Sequence, residues 1–140
     1  MKVSVIGMGY IGLPTAAVLA SRKINVVGVD VNHDVVDTIN KGNIHIVEPE
    51  LDILVRSVVQ SGYLRSTTLP EKADVFMVAV PTPFKDENKP DLSYIEAVSK
   101  AIAPLLEKGN IVILESTSPV GTTEKMMGWM QEIRSDLTFP

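Results

Sequence analysis

The sequence predicts an α/β fold: a doubly wound parallel sheet with helices on both faces, three αβα layers in all. Three observations predict it. Short apolar runs of strand length alternate with longer stretches whose apolar residues recur at helical spacing. The first run, Val3 to Ile6, passes straight into Gly7-Met8-Gly9-Tyr10-Ile11-Gly12. Asp30, closing the second run, stands eighteen positions beyond Gly12. That is about the interval at which a dinucleotide-binding βαβ unit, the Rossmann type, sets its acidic residue.

The elements follow in order. Val3 to Ile6 reads as a short buried strand, Leu13 to Arg22 as a helix, and Asn25 to Asp30 as a second strand ending in a carboxylate. Val35 to Lys41 continues a helix that Gly42 ends, and Ile44 to Leu51 connects. Between Leu51 and Ser61 the apolar positions Leu51, Leu54, Val55, Val58 and Val59 keep helical spacing. Gly62 closes that helix and Tyr63 to Thr67 forms a third strand. Asp74 to Val80 is the fourth, stopped by Pro81-Thr82-Pro83, and Lys85 to Asp91 is a polar loop. Tyr94 to Leu106 is a helix that must end or kink at Pro104. Ile111 to Glu115 is a fifth strand, Ser116 to Gly121 a turn, and Thr122 to Arg134 the last helix. Leu137 to Phe139 reads as the start of a sixth strand. The expected strand order is 3-2-1-4-5, which puts the first and fourth strands side by side where the order reverses. Ligands of such sheets bind there, at the carboxyl ends.

Each residue of the glycine segment then has a distinct task. Gly7 permits the tight turn, Gly9 lets backbone approach a pyrophosphate, and Gly12 lets helix and strand pack closely. The helix N-terminus adds free amides and a positive dipole end. The segment also satisfies the opening of a P-loop, but Leu13-Pro14 stands where Lys and Ser/Thr are needed, which disfavours a triphosphatase. Asp30 can accept hydrogen bonds from both ribose hydroxyls and would repel a 2′-phosphate. No Arg or Lys follows in Val31-Asn32-His33, so NAD is favoured over NADP. FAD and S-adenosylmethionine proteins share this geometry. The plainer reading of Asp30 is a strand-end acid capping the helix from Asn32.

Two further segments face the same cleft. Pro81 and Pro83 hold the intervening backbone extended, leaving the Thr82 amide and hydroxyl free to face a dinucleotide. In Ser116 to Thr123 the hydroxyls either cap the last helix or, through Thr117, face the nicotinamide side. Met126, Met127, Trp129, Met130 and Ile133 are most simply a helix face packed on the sheet.

Composition excludes several classes. Seventeen acids against thirteen bases give a net charge of −4 with no basic footprint for nucleic acid. No apolar run approaches transmembrane length and no signal peptide precedes the first strand, so a cytoplasmic protein with no membrane partner is expected. With no cysteine, the chain has no disulfide, thiolate metal site or thiol nucleophile. His33 and His45 lack partners at metal-ligand spacing, and no metal is expected.

Four motifs together resemble the nucleotide-sugar 6-dehydrogenases, the UDP-glucose/GDP-mannose dehydrogenase family. They are Gly7 to Pro14, Glu48-Pro49-Glu50-Leu51, Val80-Pro81-Thr82-Pro83 and Ser116 to Thr122. Ile44 to Pro49 and Glu115 to Val120 look most like the UDP-N-acetyl-D-mannosamine branch. UDP-glucose enzymes more often have Gly where Glu50 stands and an aliphatic residue where Ser118 stands. The resemblance implies a two-step, NAD-dependent oxidation of a sugar C6 alcohol to a carboxylate. An enzyme cysteine holds the aldehyde-level intermediate, and the product feeds polysaccharide biosynthesis. It further implies that Tyr10 and Ile11 lie along the dinucleotide, that Asp30 binds the adenosine ribose, and that Pro81 and Thr82 contact the cofactor. Thr117 takes a supporting catalytic place near the reacting centre, and Thr123 is a weaker cofactor-side candidate. Residues 1–140 are then expected to be the cofactor domain of a longer, homo-oligomeric enzyme acting on a UDP-sugar, inactive alone. The alternatives are the cofactor domain of a UDP-glucose 6-dehydrogenase, a stand-alone NAD-sensing module, and another dehydrogenase of this fold, such as a hydroxyacid type.

Overall fold

Five strands run parallel in the order β3-β2-β1-β4-β7, and their carboxyl ends share one rim. The computed structural model describes residues 1–85 and 89–139. In chain order the elements are β1 (Lys2–Ile6), α1 (Gly12–Ser21), β2 (Asn25–Val29), α2 (His33–Asn40), α3 (Leu51–Gln60), β3 (Leu64–Thr67) and β4 (Val75–Val78). There follow β5 (Phe84–Lys85), β6 (Lys89–Pro90), α4 (Ser93–Ile102), a 3₁₀ turn over Ala103–Leu105, β7 (Ile111–Leu114) and α5 (Thr122–Ile133). The expected order holds, with β7 as the fifth strand of the large sheet.

Alternation along the strands makes two cores. Val3 and Val5 of β1, with Val26 and Leu64, pack beneath α1, α2 and α3 around Leu13, Ile39 and Val55. Ile6, Val27, Phe76 and Val78 face the other way, against Ile95 and Ile102 of α4 and Met126 and Met130 of α5. Parallel crossovers are right-handed, so helices before the reversal cover one face and helices after it the other. Fully buried Phe76, Leu13 and Ile102 each contribute about 1.5–3 kcal/mol by leaving water. Met126 and Met130 sit in that core as expected and Trp129 packs on its edge, but Met127 lies outside it and Ile133 is exposed.

Several boundaries differ from the sequence reading. β2 stops at Val29, so Asp30 lies just past the strand. The helix read from Val35 starts at His33, because the Asn32 side chain accepts from the Asp34 amide at 2.9 Å and caps it. The loop read over 85–91 is flanked by a short antiparallel pairing of Phe84 with Pro90, its centre lying outside the described residues. Pro104 acts as expected: α4 ends at Ile102 and tightens into the 3₁₀ turn. Arg134 donates to the carbonyls of Ala103 (3.2 Å) and Leu106 (2.6 Å).

The sixth strand is not formed over Leu137–Phe139. Arg134 grips Asp136 through two 2.9 Å bonds, and the Leu137 amide turns back to the Arg134 carbonyl. The chain is thereby steered onto the α4–α5 core, where Leu137 and Phe139 pack, and away from the edge of β7. On the opposite face of β7, Ile111 and Ile113 are 55 % and 41 % exposed.

The amino ends of the strands carry a different chemistry. Glu71 receives two bonds from Arg65 (2.8 and 2.6 Å) and one from Lys2 (3.0 Å). Arg65 and Lys2 hold its carboxyl well below the usual range, at about 2. Two hollows of about 310 and 220 Å³ also lie at these amino ends, beside Leu106–Gly109 and beside Lys2, Tyr63 and Arg65. Neither touches the glycine turn. Among the described residues no helix is long and apolar enough to cross a membrane.

Candidate cofactor-binding site

The three glycines separate cleanly by what constrains them. Gly7 has φ +94, and a Cβ there would sit 2.6 Å from the Ala79 carbonyl oxygen, at the exit of β4. Its amide donates to Val29 O at 2.8 Å, pinning the turn between β2 and β4. At Gly12 a Cβ would fall inside the Gly7 carbonyl, so α1 can start this close to β1 only without a side chain. Gly9 differs: its φ is not positive and a Cβ would meet nothing within 4 Å. Nothing in the protein's own packing requires glycine there. The bare backbone at Gly9 opens outward, and that is where an approaching ligand would need it.

The start of α1 is equally open. Ile11 stands at its N-cap without a side-chain cap, and its first turn carries no acid. Leu13 donates to Gly9 O at 3.1 Å and Pro14 has no amide hydrogen, so the Gly12 amide and the positive dipole end remain available to an anion. Tyr10 and Ile11, 68 % and 44 % exposed, present their side chains to solvent beside the turn.

Asp30 joins the turn to β2. Its Oδ2 accepts from the Met8 amide at 3.1 Å and its Oδ1 from the Asn32 amide at 3.0 Å. Its own amide donates to Thr67 O at 3.1 Å. Asp30 orders the entry to α2 through Asn32, whose own side chain is the cap, and it also ties the glycine turn. Each oxygen has a second lone pair to offer, and the residue is half-buried. Two residues that support this arrangement escaped the sequence reading. Met8 is fully buried, and its side chain lies across Gly28, where a Cβ would overlap the thioether. A glycine inside a strand signals such a close approach, and Gly28 was the available clue.

The far wall is built from the exits of β4 and β7. Thr82 donates its hydroxyl to Thr117 O at 2.5 Å, which corrects the expectation of a free hydroxyl. The extended Pro81-Thr82-Pro83 backbone brings that hydroxyl to the neighbouring loop, leaving only its lone pairs to the cleft. Ser116, buried, bonds Val80 O at 2.7 Å and closes the same seam. No hydroxyl caps α5. Its N-cap is Gly121 at φ +91, and Thr122 turns back to Pro119 O at 2.7 Å. Thr117 and Thr123 are exposed, and neither hydroxyl is engaged among the described residues. Gly7, Asp30, Thr82 and Thr117 thus lie on one rim, at the ends of β1, β2, β4 and β7. Thr123 stands off it, in the first turn of α5.

Glu50 supplies a local test. It begins α3 in the left-handed region at φ +67 with no side-chain cap, a conformation costing most residues about 1–2 kcal/mol. In urea denaturation, Glu50→Gly should exceed Glu50→Ala in stability by about 1 kcal/mol, because only glycine relieves the strain.

A parallel sheet reversing at β1 and β4, a glycine turn onto an uncapped helix and a ribose-distance acid define a Rossmann-type dinucleotide-binding domain. The sequence profile of the UDP-glucose/GDP-mannose dehydrogenase family, NAD binding domain, matches residues 1–139. The chain is 70 % identical over 140 residues to the UDP-N-acetyl-D-mannosamine dehydrogenase of Campylobacter jejuni, covering 99 % of this chain and 34 % of that protein. It is 63 % identical over 138 residues to the NDP-N-acetyl-D-galactosaminuronic acid dehydrogenase of Ralstonia solanacearum, covering 99 % and 33 %. The UDP-N-acetyl-mannosamine dehydrogenase of Staphylococcus aureus superposes with a TM-score of 0.92 at 37 % identity, over 99 % of this chain and 34 % of that one. The chain belongs to the UDP-glucose/GDP-mannose dehydrogenase family as its NAD-binding domain. It spans about a third of the length of the curated relatives it matches.

Proposed function

We propose that this domain holds NAD for a nucleotide-sugar 6-dehydrogenase that oxidises UDP-N-acetyl-D-mannosamine to its uronate. The observation that carries the cofactor placement is Gly9, a glycine no internal contact requires, beside the uncapped start of α1. The pyrophosphate lies over Gly9 and the Gly12 amide at the start of α1, with Tyr10 and Ile11 along it. Asp30 takes the adenosine ribose hydroxyls. Pro81 and Thr82 border the middle of the cofactor, and Thr117 stands at the nicotinamide end with its hydroxyl free to orient a substrate oxygen. Thr123 lies further out on that side.

NAD accepts a hydride in each of the two oxidations the family performs. This chain's part is to bind and orient. A cysteine is needed to hold an aldehyde-level intermediate, and the chain has none, so it is read as the cofactor domain of a longer enzyme. The choice of an N-acetylhexosamine substrate rests on the two relatives above, both named for acetamido sugars. The assembled enzyme is read as homo-oligomeric and cytoplasmic, with polysaccharide precursors as its product class. Fluorescence titration with NADH and NADPH tests the cofactor reading, and NADH should bind more tightly. Tighter NADPH binding would overturn it. Reduction of NAD by this chain alone with UDP-N-acetyl-D-mannosamine would refute the division of labour.

A further inference from the structure

Glu115 is the residue the cofactor reading leaves without a task. It follows β7 directly, and its amide donates to Val78 O at 2.8 Å. Leu114 faces the α4–α5 core, so strand alternation sends the Glu115 side chain to the opposite face, toward α1. There its Oε1 accepts from the Thr15 hydroxyl at 2.5 Å, across one hundred residues of sequence. Its Oε2 is buried and has no partner among the described residues. Burying a carboxylate with an unmet oxygen is costly, and a plain apolar contact between helix and strand would avoid that cost.

The pair occupies a telling position. Thr15 sits in the first turns of α1, the helix whose open start faces the pyrophosphate. Two residues beyond Glu115 is Thr117, held to Thr82, with Ser116 between them bonded to Val80 O. Among the described residues the Thr15–Glu115 bond is the only side-chain hydrogen bond joining α1 to this loop. It therefore spans from the phosphate side of the cleft to its nicotinamide side.

We infer that Thr15 and Glu115 are positioning residues that fix the spacing between α1 and the Ser116–Thr117 loop, and so orient the nicotinamide half of the bound dinucleotide. This rests on the cofactor placement proposed above. A positioning role and a merely structural one differ in which ligand notices the loss. ADP-ribose occupies the adenosine and pyrophosphate sites but has no nicotinamide, whereas NADH spans both ends.

The test compares the two ligands by calorimetry on the 140-residue protein and on Thr15→Val, Thr15→Ser and Glu115→Gln, with the thermal midpoint of each. Thr15→Val should weaken NADH roughly tenfold, the worth of one hydrogen bond to a charged group, and leave ADP-ribose within about twofold. The anisotropy of bound NADH should fall in the same variant. Thr15→Ser, which keeps the hydroxyl, should restore both readings. Glu115→Gln, which can still accept from Thr15, should lie near the native protein for NADH and guards against a variant that fails to fold. Equal weakening of both ligands, or no weakening of either, would overturn the inference and leave the site intact. A native chain that binds neither ligand would overturn the cofactor placement itself and the inference with it.

Discussion

Gly12→Ala is expected to destabilise the domain by about 3 kcal/mol or more, lowering the thermal midpoint by roughly 10 °C, while Gly9→Ala leaves the midpoint nearly unchanged. The difference comes from what each new methyl group meets. At position 12 it would overlap the Gly7 carbonyl. Backbone cannot yield as a side-chain tip can, so α1 must tilt away from β1 and the Leu13, Ala16 and Ala17 packing must open. At position 9 the methyl group points into free space at ordinary φ, and surface changes of that kind stay within about 0.5 kcal/mol. Binding should show the opposite contrast at position 9. A methyl group there occupies the approach to the pyrophosphate, so NADH should bind at least tenfold more weakly to a protein that melts normally. Circular dichroism melts and NADH fluorescence on the same samples separate the two effects. A Gly9→Ala protein binding NADH as the native chain does would refute the placement of the pyrophosphate.

Much of this architecture is written locally. Val/Ile runs of strand length, the glycine spacing and Pro104 each act within a few residues, and the strand order follows once every crossover is right-handed. What the sequence does not display are bonds made at long range between groups with ordinary local alternatives. Thr82 reads as free because its partner is the carbonyl of Thr117, thirty-five residues on. Thr15 and Glu115 read as an unremarked helix residue and a strand-end acid, and only the folded sheet brings them together. The expected sixth strand failed for a similar reason. Leu137 to Phe139 has strand-like composition, but Arg134 and Asp136 redirect the chain before any pairing is possible. The turn itself was legible at Gly7 and Gly12, whose roles are dictated by sterics. The site was least legible at Thr117 and Thr123, where a hydroxyl near a helix start has two equally ordinary uses.

Asp30→Asn should change cofactor preference more than any other single substitution at the rim. The native carboxylate already accepts from the Met8 and Asn32 amides, and each oxygen has a second lone pair to offer. A ribose hydroxyl bonding there makes a hydrogen bond to a charged acceptor, worth about 1.5–3 kcal/mol, or roughly ten- to a hundredfold in affinity. A 2′-phosphate in the same place meets like charge. At about 4 Å and an effective dielectric near 20 the repulsion is of order 4 kcal/mol per unit charge before screening. Asparagine removes both terms at once. NADH should therefore weaken by at least tenfold while NADPH holds or tightens, and the NADH/NADPH preference should narrow by a hundredfold or so. The substitution also offers an amide donor where two backbone donors converge, so some loss of stability is expected. That loss weakens both cofactors together and cannot change their ratio. The ratio, measured by paired fluorescence titrations at one ionic strength, is the decisive quantity. If it is unmoved by Asp30→Asn, the acid serves only to tie the glycine turn to β2, and the adenosine ribose is held elsewhere.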